Sequence, residues 1–149
     1  MKPILFSPTA TTFETNGLGV LADAVSCTVT EQLNGSYELA ATYPVTGKRF
    51  HDLQLRGIVL AKPNPYAAAQ PFRIYKITKP MRGIVTLHAH HISYDLSGIP
   101  VSPFTADGIS AALAGLSENA AIPCPFVFQT DKSVAGTFSV PVPSAIRSV

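Results

Sequence analysis

The chain is poor in charge and has no tryptophan; Asp, Glu, Lys and Arg together make up 13% of its 149 residues. The basic residues (Lys2, Lys48, Arg49, Arg56, Lys62, Arg73, Lys76, Lys79, Arg82, Lys132 and Arg147) are scattered, and the net charge is only +2. No run of them forms a stripe that could track phosphates, which disfavours nucleic acid as a partner. Cysteine is scarce: Cys27 and Cys124 are far apart, and neither belongs to a C-x-x-C pair, so zinc and thioredoxin-type chemistry have no footing. Free thiols and synthesis in a reducing cytoplasm are expected. No apolar stretch approaches the roughly 20 residues that cross a bilayer. The N-terminus turns polar at Ser7, too early for the apolar core of a secretory signal. No membrane association is expected.

Apolar residues are plentiful, at 46%. That is too apolar for disorder, and the length suffices for a core without disulfide staples. A surface so poor in charge fits a chain partly covered by partners, and equally a compact β protein.

The clearest local signal is two period-2 runs around Asn34-Gly35. Val25, Cys27, Val29 and Leu33 alternate with polar residues, and so do Tyr37, Leu39, Ala41 and Tyr43. Such runs predict a β-hairpin. A two-residue loop would set Leu33 opposite Ser36 and send the two apolar sets to opposite faces. A three-residue loop, Leu33-Asn34-Gly35, pairs Glu31 with Tyr37, Val29 with Leu39, Cys27 with Ala41 and Val25 with Tyr43, placing both sets on one face. The three-residue hairpin is therefore expected, closed by Gln32 and Ser36, with a type I turn and Gly35 at positive φ. Cys27 then reads as a small core residue.

Further strands are expected over residues 3–7, 58–61, 71–78 and 84–90, with a short strand or turn within 16–22. Helical turns are expected around Phe50 and Leu53 and over 91–96. Residues 62–69 read as an exposed loop. Beyond Pro103, Thr105 reads as a helix N-cap with Asp107 in the first turn, and Ile109, Leu113 and Leu116 form an apolar face ending by Asn119. Residues 126–130 and 137–140 read as two strands joined by a polar turn. Ser144 would cap a helix from Ala145, and the chain stops before such a helix is complete, so the sequence reads as a fragment of a longer protein.

Candidate chemistry is thin. His51, His88, His90 and His91 invite a metal reading, and on a strand His88 and His90 share a face. A zinc site wants three or four ligands, however, and no cysteine or acidic residue is near in sequence. Structural or interface histidines are the expectation. His91, Ser93 and Asp95 could be imagined as a catalytic set, but no G-x-S-x-G elbow is present. Gly17-Leu18-Gly19 lacks the third glycine of a nucleotide loop. No catalytic, cofactor-binding or metal-binding residue is assigned, no cofactor is expected, and the chain is not expected to be an enzyme.

Several blocks carry a resemblance: Leu33-Asn34-Gly35-Ser36-Tyr37-Glu38-Leu39, Tyr43-Pro44, Gln70-Pro71-Phe72-Arg73-Ile74-Tyr75, Ala89-His90-His91-Ile92-Ser93-Tyr94-Asp95-Leu96 and Pro143-Ser144-Ala145-Ile146-Arg147-Ser148. In this order they resemble the N-terminal region of siphophage and prophage minor structural proteins, the tail-associated lysin or prophage tail endopeptidase family. The resemblance spans residues 3–149. It implies a mainly β (α+β) fold, with a baseplate-hub-like β-barrel over 1–97 and part of an inserted α/β subdomain over 98–149. It further implies a homotrimer in the full-length protein, docking to the distal tail protein in the virion, and lysin activity confined to later C-terminal domains. The competing readings are a cell-wall hydrolase or its substrate-recognition domain, with Tyr66 and the histidines facing glycan or peptide, and a carbohydrate-binding module, which the missing tryptophan weakens.

Overall fold

The computed structural model describes residues 2–33 and 35–146. The fold is mainly β: among the described residues there are eleven strands, one α-helix and two 3-10 segments. The chain forms two compact units, Met1–Ile92 and Ser93–Val149.

In the first unit β1 (Ile4–Phe6), β2 (Gly19–Val20), β3 (Ser26–Glu31), β4 (Tyr37–Pro44), β5 (Ile58–Ala61), β6 (Gln70–Ile77) and β7 (Ile84–His91) form one antiparallel sheet, ordered β2-β1-β5-β6-β7-β4-β3. The outermost strands of that order, β2 and β3, are consecutive in sequence. Six residue steps from Val20 to Ser26 reach at most about 22 Å. A flat sheet of seven strands would hold its edges about 29 Å apart. The sheet therefore curls, giving an antiparallel half-barrel.

The core follows the period-2 pattern. Leu39, Ala41 and Tyr43 from β4, Val85, Leu87 and Ala89 from β7, and Phe72 and Ile74 from β6 are all buried on the inner face. β5 is buried on both sides: Val59 and Ala61 join this core, while Ile58 and Leu60 pack with Phe6 in a smaller cluster beside Phe13. Tyr43 is fully buried but keeps its hydroxyl satisfied. It accepts the Arg49 N–H at 3.0 Å and donates to Asp23 Oδ2 at 3.3 Å, and the same carboxylate accepts the Lys48 N–H at 2.9 Å. This network fastens the segment after β4, which carries the expected 3-10 turn at Phe50–Asp52.

The hairpin has the three-residue register: Glu31 faces Tyr37, Val29 faces Leu39 and Cys27 faces Ala41. The Gln32 N–H donates to Ser36 O at 2.9 Å, and the Gly35 N–H to Gln32 O at 3.0 Å. The turn type and the φ of Gly35 depend on Asn34, which lies outside the described residues. Cys27 is not the core residue expected of it. It is exposed, because β3 is the edge of the sheet and only Val29 of that strand packs onto the core.

In the second unit β8 (Pro100–Val101) pairs with β11 (Ser144–Ala145), and β9 (Phe104–Asp107) pairs with β10 (Thr137–Val140). The helix α1 (Ile109–Glu118) ends at Asn119 as expected, but it begins after Gly108. Thr105 is not its cap. Thr105 and Asp107 are strand residues whose side chains bond Ser139 and Thr137 across the ladder, and Gly108, at φ 82°, makes the strand-to-helix break. Residues 126–130 are not a strand. Phe126 and Phe128 instead pack beside Ile99, Val101 and Ile146 without joining a ladder. Ser144 caps no helix: it pairs with Val101, and the Ile146 N–H continues toward Ile99 O at 3.1 Å. The rest of the expected helix, 147–149, lies outside the described residues.

Candidate functional site

Strand alternation divides the histidines between the two faces of the sheet. On β7, Leu87 and Ala89 point into the core, so His88 and His90 point outward. His90 lies opposite Glu38 on β4 and Arg73 on β6. Its Nδ1 sits 3.5 Å from Glu38 Oε1, with the two side chains 30% and 44% exposed. A β-bulge between Ile74 and Lys76 leaves Tyr75 as an extra residue on β6. The bulge turns its ring outward over the histidines. Tyr75 stacks on His90 at 4.0 Å and 8°, and lies 6.2 Å from the His88 ring. The outer face continues through Thr42, whose hydroxyl is 2.7 Å from that of Ser26.

His91 belongs to the other face. It stacks on Tyr37 at 4.6 Å, meets Phe72 edge-on, and its Nε2 lies 3.2 Å from Gln70 Oε1. His51 is exposed, with its ring against Phe50. The structure thus brings His88 and His90 together and sets His91 and His51 apart from them. Among the described residues, no group of three or more His, Cys, Asp or Glu side chains is arranged to hold a metal ion. Ser93 and Asp95 fall in the 3-10 segment Ile92–Gly98. Tyr66 stands exposed on the loop after β5, its backbone held by Asn64 Oδ1, which accepts the N–H groups of Tyr66 and Ala67 at 3.0 and 2.8 Å.

Burial sets the electrostatics of the first unit. It pushes the Tyr37 phenol above its usual range, and the negative charge of Glu31 across the ladder adds to this. Burial also raises the Tyr43 phenol. The hydrogen bond from the Arg49 backbone opposes that rise and the Asp23 carboxylate reinforces it. Cys27 is exposed as a residue, yet partial desolvation of its sulfur raises the thiol pKa.

The second unit holds an open apolar groove of about 360 Å³ between α1 and the β9–β10 ladder, lined by Phe104, Ile109, Leu113, Leu116, Phe138 and Val140. The apolar periodicity of the helix announced half of this lining. The Tyr75 platform and the Asp23–Tyr43 network have no local signature, since a bulge and a long-range hydroxyl contact leave no mark on residue spacing. Among the described residues, no helix is long and apolar enough to cross a membrane. No protein-family model, curated protein or solved structure matches this chain.

Proposed function

We propose that this chain is a structural component of a bacteriophage or prophage tail tip, a baseplate-hub module that docks to the distal tail protein. The observation that supports this most directly is where the resembling blocks meet. The block at 33–39 and the block at 89–96 are some fifty residues apart, yet Glu38 pairs with His90 and Leu39 with Ala89 where β4 and β7 run side by side. A third block, 70–75, lies on β6, the other neighbour of β7. Three of the resembling blocks thus contribute their strand residues, Tyr37–Leu39, Gln70–Tyr75 and Ala89–His91, to adjacent strands of one sheet. That is what a scaffold requires: a reproducible framework whose rims and loops make the contacts.

The test is biochemical. Tail particles purified from the producing host should contain the full-length protein bearing this chain, and cross-linking should join it to the distal tail protein. A full-length protein that is missing from such particles, and that has no measurable affinity for the distal tail protein, would overturn the proposal.

A further inference from the structure

The groove of the second unit borders an open strand edge. The helix α1 packs mainly over β9, so the apolar floor made by Phe104, Phe138 and Val140 is uncovered on the β10 side. Among the described residues, no strand pairs with the outer side of β10, and Thr137–Val140 holds no lysine or proline to shield it. The Gly108 N–H donates to Gly136 O at 2.8 Å, which makes Gly136, Phe138 and Val140 the residues whose main chain faces β9. The N–H and C=O of Thr137 and Ser139 therefore point outward. Ser139 carries its side chain on the ladder face away from α1, beside Thr105, yet it lines the groove. It meets the groove through that outward main chain. Pro141 ends the edge, so the strand it can accept is short.

We propose that this edge takes up a short extended peptide from another protein, as a third strand whose side chains alternate between apolar and basic. A strand beside β10 sends every second side chain under the flank of α1, into a lining that carries no charge. The other set emerges on the far face, beside Thr137, Ser139 and Asp107, whose carboxylate accepts the Thr137 hydroxyl at 2.8 Å. The surrounding charge is negative. The described residues of the second unit carry the carboxylates of Asp95, Asp107, Glu118 and Asp131 against one cation, Lys132, which itself lies 3.2 Å from Asp131. Long-range attraction therefore favours lysine or arginine at the outward positions of the incoming strand.

This inference does not rest on the tail-tip reading. The probe is a short synthetic peptide of alternating valine and lysine, titrated into the isotope-labelled chain and followed by NMR. Saturable shifts are expected at the amides of Thr137–Val140 and at the methyls of Leu113 and Leu116. Replacing the lysines of the peptide by glutamate should weaken binding about tenfold or more at low salt. N-methylating the peptide amides that face β10 should weaken it about tenfold, and so should Ser139→Pro, which removes an outward N–H and leaves the β9–β10 bonds in place. The absence of saturable shifts at millimolar peptide overturns the proposal, as does equal affinity for the lysine and glutamate peptides. Self-association of the chain that moves the same amides overturns it by giving the groove to a second copy. Failure of the full-length protein to bind the same peptide overturns it by giving the groove to a further segment of its own chain.

Discussion

The two units solve the same problem with different success. In the first, a curled sheet presses its inner face onto itself, and Tyr43, Phe72, Leu39, Ile74 and Leu87 are almost wholly withdrawn from water. In the second, two short ladders and one helix gather around Ile99, Val101 and Ile146, while α1 leaves its apolar face in an open groove. Both have apolar residues at the expected spacing. The difference lies in closure: alternation along several long strands builds a continuous wall, whereas two- and four-residue strands cannot.

The largest test of this contrast removes core volume. Phe72→Ala should cost about 3–5 kcal/mol, because its surroundings are packed on every side. Leu113→Ala, in the half-buried helix face, should cost about 1–2 kcal/mol. Hydrogen exchange followed by mass spectrometry should show each loss in its own unit. Equal losses would break the comparison.

A second pair of substitutions introduces the same steric insult in both places. A Cβ at Gly47 would lie 2.4 Å from the Tyr43 ring, and one at Gly115 would lie 2.3 Å from the Phe104 ring. The Tyr43 ring is fully buried and tied at its hydroxyl, so Gly47→Ala should destabilise by about 1–3 kcal/mol. Phe104 borders the groove and can turn into it. The helix-propensity gain of about 1 kcal/mol should then bring Gly115→Ala close to neutral in thermal unfolding.

Alkaline pH should act on the first unit. Tyr37 and Tyr43 both have phenols raised in the folded state. The unfolded chain releases these protons first, near pH 10. The stabilisation is therefore complete below that pH and is lost as pH rises toward and through the folded values. A denaturation series from pH 8 to 11 should show a steeper decline than in Tyr43→Phe, which removes one of the two groups. Identical slopes would sink this assignment. The smallest effect is expected at the outer platform: Glu38→Gln should change stability by less than about 0.5 kcal/mol, because the Glu38–His90 contact is partly exposed.

Much of the first unit was readable from sequence because its strands are long and its turn chemistry is local. The loop length around Asn34-Gly35 set the hairpin register from Ser26 to Glu31 through the period of two, but the expected Val25–Tyr43 pair does not form: the ladder ends at Ser26 opposite Thr42, and Val25 is exposed with its N–H on Thr42 O. Cys27 was misread for a reason no local pattern holds: whether a strand is central or peripheral depends on the order of the whole sheet. Thr105, Phe126 and Ser144 failed similarly. Each has a local preference that long-range pairing or packing overrode: Thr105 with Ser139, Ser144 with Val101, and Phe126 within the Ile99 cluster. At the candidate site, alternation correctly put His88 and His90 on one face. The stacking of Tyr75 on His90 stayed hidden, since it needs a bulge that shifts the pairing by one residue.

The short span between β2 and β3 has a mechanical meaning. Leu21, anchored in the core with its N–H bonded to Pro3 O, and Val25, bonded to Thr42 O, are the two ends of a tether whose covalent length caps their separation. The radius of the half-barrel is thus limited by covalent chain length as well as by side-chain volume. Glycines inserted within residues 22–24 would give the arc slack to widen, whereas shortening that stretch would draw its rims together.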